Sequence, residues 1–248
     1  MLKEKLILDT YSAIPDRGIH FGLERLHRAM EDRRNTKYCL KMDIKKYYPS
    51  INHKILKKIY RKIFKDPNLL WLLDEVIDST EGNTGIPIGN YLSQWSGNIY
   101  LAYFDHWMKE QMKCKNYFRY MDDIVILHQS KDFLHELKRK VDNYLKKNLK
   151  LKIKGDWQVF PTYVRGVDFL GYRSFGDYTL LRKSTAKKFK RKMRKLWEKE
   201  KLNFHDYCSI NSYKGWLKWC NSYNLKQKYI KPLEEKIKEY ERVNNIES

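Results

Sequence analysis

The chain has 248 residues, 42% of them hydrophobic, enough for a real core in one large domain or two closely packed ones, which excludes a disordered tail. Its 51 lysines and arginines against 30 aspartates and glutamates give a formal net charge of +21, which favours a polyanion as partner, nucleic acid first, over a merely solvated basic surface. Four widely spaced cysteines (Cys39, Cys114, Cys208, Cys220) without a C-x-x-C pair argue against structural zinc and fit a reducing cytosol, and no apolar run nears the roughly 20 residues of a membrane span.

In chain order, residues 1–10 read as a short helix or entry segment, and Ser12–His20 as a loop rich in Pro and Gly. A helix follows with Phe21, Leu23, Leu26 and Met30 on its apolar side. Tyr38–Ile51 predicts a strand with Asp43 near its C-terminal end, closed by Pro49, and Asn52 is placed to cap the next helix. That helix, Lys54–Phe64, buries Ile55, Leu56, Ile59, Tyr60 and Ile63 and turns Lys54, Lys57, Lys58, Arg61 and Lys62 outward. A further helix spans about Asn68–Ile77. Gly85, Pro87 and Gly89 then force an irregular loop over 83–94, with Gly89 permitting close backbone approach to a ligand, and a helix starts near Ser93 and runs towards Met108.

Tyr117–Leu127 predicts a β-hairpin with Asp122-Asp123 at its turn. An Asp-Asp pair alone is equally an ordinary acidic turn, but two carboxylates at one tip repel each other, and a hard divalent cation relieves that. If the Asp43 strand is its neighbour, three carboxylates from two strands suit a two-metal phosphoryl-transfer site, with ions roughly 4 Å apart. Lys131–Leu149 predicts a basic amphipathic helix, and Leu149–Lys154 alternates like a half-buried strand. Arg165–Tyr172 reads as a glycine-flanked aromatic hairpin. Composition shifts at Asp177, which divides the chain into 1–176 and 177–248. From Arg182 to Lys201 there are eleven basic and two acidic residues, with Phe189, Met193 and Leu196 forming the narrow inner face of a helix. Helices over Tyr207–Tyr223 and about Pro232–Arg242 complete the pattern.

Four of these stretches resemble a reverse transcriptase. Tyr120-Met121-Asp122-Asp123 matches that family's catalytic signature, Asp43 the aspartate of its first palm motif, Ile86–Gln94 its nucleotide loop, and Phe169-Leu170-Gly171-Tyr172 its primer grip. The resemblance implies an α+β right-hand polymerase: an antiparallel-sheet palm, short fingers (the chain opens close to the family's second motif) and a basic α-helical thumb. It implies catalysis by Asp43, Asp122 and Asp123, and two Mg²⁺ ions, or Mn²⁺ in their place, held by Asp43, Ile44, Asp122 and Asp123. Nucleotide contacts fall on Arg17, Tyr48 as a steric gate against the 2′-hydroxyl, Ile88, Gly89, Gln94 and Lys154. Lys154 and Lys152 both suit the general acid that some polymerases use, beside the plainer reading of solvent-facing lysines. Tyr120, Met121, Phe169, Leu170 and Gly171 would touch primer and template.

Ile88 stands where many family members carry glutamine, and Ser93-Gln94 where group II intron enzymes carry Ser-Pro. That form is closest to diversity-generating retroelement reverse transcriptases, with antiphage defence and retron enzymes as alternatives and a non-catalytic RNA-binding palm as a further one. The implied partners are template RNA, an RNA/DNA duplex and deoxynucleoside triphosphates, with a small basic accessory protein or a second copy of the chain in place of full fingers. No membrane partner is expected, and the expected location is cytoplasmic.

Overall fold

Why the two aspartate-bearing segments become neighbours is clear from the order of elements in the computed structural model, which describes residues 2–87, 89 and 91–245. After a 3₁₀ turn at Lys3–Lys5, helix α1 (Ile19–Met30) buries Leu23, Leu26 and Met30, and strand β1 (Tyr38–Asp43) follows. Helices α2 (His53–Ile63) and α3 (Pro67–Asp78) begin on side-chain caps: Asn52 accepts from the Ile55 amide, and Asp66 from Asn68 and Leu69 with Pro67 in the first turn. Helix α4 (Tyr91–Tyr100) leads through α5 (Ala102–His106) into a π-helical turn at Trp107–Gln111. Strands β2 (Tyr117–Tyr120) and β3 (Asp123–His128), helix α6 (Lys131–Tyr144) and strand β4 (Gln158–Pro161) complete the first unit, residues 1–165.

The sheet is antiparallel throughout, in the order β2-β3-β1-β4. Alternation gives each strand two faces. Leu40, Met42, Ile124 and Ile126 point into a core shared with Leu134, Leu137 and Val141 of α6 and with Tyr100 and Phe104. The opposite face carries Cys39, Lys41 and Asp43 on β1 and Asp123, Val125 and Leu127 on β3. That face dries towards one end, where Cys39, Val125 and Leu127 are buried, and stays half-open at the aspartates.

One charged group lies on the core side. Arg119 of β2 is fully buried, and its guanidinium donates from Nε to Asp105 Oδ1 (2.8 Å) and from Nη2 to Asp105 Oδ2 (2.6 Å). Asp105, on α5, is fully buried too and also accepts from the Tyr117 hydroxyl (2.5 Å) and from Thr10 Oγ1 (3.3 Å). The remaining guanidinium donors reach the Asn98 carbonyl of α4 (3.3 Å) and the carbonyl of Met121 (3.0 Å), while Asn98 donates to the Ser12 carbonyl (2.7 Å). Burial alone would lower the Arg119 pKa; the Asp105 carboxylate outweighs it and holds the guanidinium firmly charged.

The second unit, residues 166–248, has its own small sheet. Strands β5 (Val167–Phe169), β6 (Tyr172–Ser174) and β7 (Thr179–Leu181) pair antiparallel in sequence order. Helices α7 (Lys183–Trp197), α8 (Phe204–Leu217) and α9 (Glu234–Val243) follow, α8 opening on a capping box between Asn203 and Asp206. Phe189, Met193 and Leu196 are buried as the periodicity predicts, with Phe189 against Tyr213 and Tyr229 at centroid distances of 5.3 and 5.7 Å.

Four local expectations differ. The packing boundary falls at Arg165/Gly166, upstream of the compositional shift at Asp177, because β5–β7 pack on the helices that follow: Tyr172 lies 5.2 Å from the Trp216 ring, and Asn221 accepts from the Thr179 amide. Pro49 does not close β1; the strand ends at Asp43 and Pro49 sits within a helical turn, Tyr47–Ser50, entered through left-handed Lys46. Leu149–Lys154 forms a single bridge, Ile44 with Ile153, because the preceding helix runs into a π-turn at Leu145–Leu149 that Lys150 ends in the left-handed region. The helix expected to run from Ser93 to Met108 starts at Tyr91 and breaks at Leu101.

Cutting Arg119 to alanine leaves Asp105 buried and unpaired, so Arg119→Ala should cost about 3–5 kcal/mol, and Arg119→Met with Asp105→Leu should recover most of it. Urea unfolding followed by circular dichroism measures both.

Candidate active site

Register places the acidic residues. Asp43, the last residue of β1, pairs across the sheet with Asp123, the first of β3, and Asp123 pairs on its other side with Tyr120. The β2–β3 hairpin closes in two residues, Met121 and Asp122, with Met121 at φ +54°, the left-handed geometry that short hairpins need at their first loop position. The turn is therefore Met-Asp and not the Asp-Asp that the sequence suggested: Asp122 stands at the tip and Asp123 belongs to the strand. The Arg119–Met121 hydrogen bond ties this turn to the buried network beneath it.

Beyond β1 the backbone remains stitched on both sides. The Ile44 amide donates to the Asp122 carbonyl (3.2 Å), the Lys154 amide to the Asp43 carbonyl (2.8 Å), and the Lys45 amide to the Lys152 carbonyl (2.8 Å). The Asp122 carboxyl is pushed up by burial, and further by the charge of Asp43, while Arg119 and Lys154 draw it down. Asp123 instead forms an ion pair with Lys41, two residues before Asp43 on the same face of β1. Among the described residues no group of three or more His, Cys, Asp or Glu side chains gathers closely enough to hold an ion, and Asp123 is paired with Lys41. Asp43 and Asp122 are near enough for the charge of one to raise the pKa of the other, and carboxylate oxygens are the donors that a hard dication takes. With its amide engaged, any ligand that Ile44 offers is its carbonyl oxygen.

Tyr48 lies against this turn: its hydroxyl is 3.4 Å from Met121 Sδ, and burial followed by the nearby Asp122 charge raises its pKa. Gly97 of α4 lies alongside, where a Cβ would stand at contact distance from Tyr48, 3.4 Å from its hydroxyl. Lys154 is exposed and pairs with Asp156 (2.9 Å); that pairing, with Asp43 and Asp122 adding, raises its pKa away from a general acid's range. Arg17 donates to the Ile7 carbonyl (2.7 Å) and clasps the N-terminal segment. Gly89 holds φ +107° in open space, Gln94 is exposed on α4, and Ile88 lies outside the described residues.

In the second unit, Phe169 and Tyr172 face each other in the β5–β6 hairpin, whose loop residues Leu170 (φ +55°) and Gly171 (φ +84°) are both left-handed. Phe169 and Leu170 are buried, and a Cβ on Gly171 would meet the Trp216 ring at 2.5 Å. The loop of this hairpin, Leu170-Gly171, turns main chain outward, while the strand residue Asp168 keeps a part-exposed side chain paired with Arg182. Sequence reasoning passed over Lys41, Arg119, Asp105 and Asn98. The signal for the first two was a basic residue inside an otherwise apolar strand, two and three positions before a key aspartate.

Because folding raises the Asp122 pKa, its ionised form destabilises the cation-free protein above the ordinary carboxylate range, and the penalty vanishes as pH falls below about 4, where folded and unfolded forms are both protonated. Asp122→Asn should accordingly raise the thermal midpoint at neutral pH by about 2–4 °C without divalent cations, and lose that advantage near pH 3. Scanning calorimetry at both pH values checks it.

Comparisons with known proteins bear on the fold and the family. Protein YkfC of Escherichia coli (strain K12) is 22% identical over 206 residues, 66% of this chain and 54% of that protein, so the chain spans about half the length of the curated relative it matches. Among solved structures, apo telomerase from Candida tropicalis aligns with a TM-score of 0.56 at 12% identity over 77% of this chain and 40% of that one. Telomerase from Candida albicans in complex with a TWJ fragment of telomeric RNA aligns at 0.54 and 11% identity, over 76% of this chain and 39% of that one. At such identities these likenesses show the fold, an α+β polymerase architecture with an antiparallel-sheet palm and a helical thumb. A sequence model described as reverse transcriptase (RNA-dependent DNA polymerase) matches residues 4–174, from the N-terminal segment through both aspartate strands to β6, and the chain belongs to that family.

Proposed function

We propose that this chain is the catalytic part of an RNA-directed DNA polymerase, transferring deoxynucleotides to a 3′-end on an RNA template. The observation that carries the reading is the register that sets Asp43 opposite Asp123, with Asp122 at the adjoining tip and Tyr48 against the same turn. Asp43, Asp122 and Asp123 would hold divalent cations, Mg²⁺ or Mn²⁺. Bound there, such ions would ease deprotonation of the primer hydroxyl and offset the charge of the triphosphate and the departing pyrophosphate. The chain's own residues position. Arg119 fixes the Met121 carbonyl and with it the tip, Tyr48 limits the space beside Met121 where a sugar 2′-hydroxyl would sit, and Lys154 keeps positive charge over the aspartates.

The net charge of +21 suits an RNA template and an RNA/DNA duplex held largely through phosphates. The basic helix α7 and the main chain of the Phe169–Tyr172 hairpin are the proposed contacts in the second unit. A cytoplasmic setting accords with four free cysteines, and among the described residues no helix is long and apolar enough to cross a membrane. Within the class we favour a diversity-generating retroelement enzyme with relaxed base selection, on the run from Ile86 to Gln94: an isoleucine at 88 offers an apolar side chain where glutamine would make polar contacts.

Primer extension on an RNA template with Mg²⁺ and, in parallel, the RNA that copurifies from the host tests the activity. Wild type should extend, and Asp122→Ala with Asp123→Ala should fall by about a thousandfold or more, the rate equivalent of several kcal/mol. Absence of extension under both conditions would overturn the reading. Sequencing the products tests the finer proposal: Ile88→Gln should lower misincorporation by about tenfold, and an unchanged error spectrum counts against relaxed selection at this position.

A further inference from the structure

We infer that Lys41 is a built-in counterion of the aspartate site, a positioning residue that holds Asp123 while no divalent cation is bound and must be displaced before three carboxylates can act together. The inference rests on the polymerase reading for the identity of the site, but its argument is local geometry.

Residues two apart on a strand share a face, so Lys41 and Asp43 stand side by side on β1. Asp43 is directly opposite Asp123, and Lys41 is opposite Val125, which makes Lys41 and Asp123 a diagonal pair. Diagonal Cβ atoms lie roughly 7–8 Å apart, beyond most side chains and within reach of a lysine. Lys41 uses that reach: its Nζ pairs with Asp123 Oδ1. The pair is sheltered, with side-chain exposures of 21% and 22%, and the adjoining positions on its face, Cys39 and Val125, are fully buried. Nearby lysines outside the strands, Lys45, Lys152 and Lys154, are exposed. Sheltered ion pairs are less screened than exposed ones, so this one persists at physiological salt.

The arrangement answers a problem that the register creates. Bringing Asp43, Asp122 and Asp123 to one end of two strands accumulates negative charge where all three positions are only part-exposed to water. Lys41 offsets one of those charges. It does so at the carboxylate that sits in the strand, not at the tip, which leaves Asp43 and Asp122 as the pair that meets the first cation. Asp123 then joins only by exchanging an ammonium for a dication. The consequence is a site whose cation affinity is lower than its carboxylate count suggests, by the strength of one ion pair that has to be broken.

The test is Mn²⁺ binding followed by electron paramagnetic resonance on protein without primer, template or nucleotide, with circular dichroism to check the fold. Lys41→Met should bind Mn²⁺ about tenfold more tightly than wild type, within the usual range of coupling inside one charge network. Lys41→Arg, which keeps the charge, should stay close to wild type. In an Asp123→Asn background Lys41→Met should change nothing, because the effect runs through Asp123. Unchanged or weaker binding by folded Lys41→Met overturns the inference. So does tightening of equal size in the Asp123→Asn background, which would mark a general field effect. Lys41→Gln gives the same reading should the methionine variant fail to fold. Primer extension by the wild type, run alongside, separates the two levels: extension without coupling overturns this inference and leaves the polymerase reading intact, and protein that neither extends nor binds Mn²⁺ overturns both.

Discussion

A guanidinium out of water is tolerable only where its charge and its donors are all answered, and the first unit is assembled around one such place. Arg119 lies under the sheet with Asp105 against it, and what it joins is unusual in range: a strand, two helices, the N-terminal segment through Thr10 and Ser12, and the carbonyl of the hairpin turn. Apolar packing alone would hold β2 against α4 and α5 without fixing how far it slides, since apolar contacts have no direction. The Arg119–Asp105 fork has one. It sets the height of the Met121–Asp122 turn above the core, and the half-exposed face inherits that setting as the position of its carboxylates.

The upper face follows a different logic. There the sheet register, fixed by buried Leu40, Met42, Ile124 and Ile126 on the side below, obliges two aspartates to meet above. A slip of one residue would turn the whole set over. The acidic pairing is thus a by-product of a well-determined core, and the site's electrostatic tension cannot relax by moving the strands. It relaxes through side chains, as the Lys41–Asp123 pair does, or through ligands.

How much of this could be read from the sequence depended on where its cause lay. The aspartate strands, the helix cap at Asn52, and the inner face Phe189–Met193–Leu196 were legible because each follows from local spacing or the chemistry of neighbouring residues. The motif at 120–123 located the acidic site before any fold was known, but two adjacent aspartates do not say which one occupies the turn; the left-handed Met121 decides that, and nothing in a methionine announces it. Arg119 and Asp105 lie fourteen residues apart on different elements, so their partnership is tertiary and left no periodic trace. The same is true of the unit boundary: charge composition changes at Asp177, whereas Trp216, far downstream, draws β5 and β6 into the second unit.

The Phe169–Tyr172 hairpin has a consequence of its own. Its side chains are committed inward, with Phe169 and Leu170 buried and Gly171 pressed to the indole of Trp216, so the outward surface of its loop is peptide backbone. Amides and carbonyls repeat identically whatever residues bear them, and a surface made of them selects by contour and by the direction of its donors and acceptors. If the hairpin meets a primer as proposed, what its loop offers there is main-chain donors and acceptors, a pattern set by the two left-handed residues and not by side-chain chemistry.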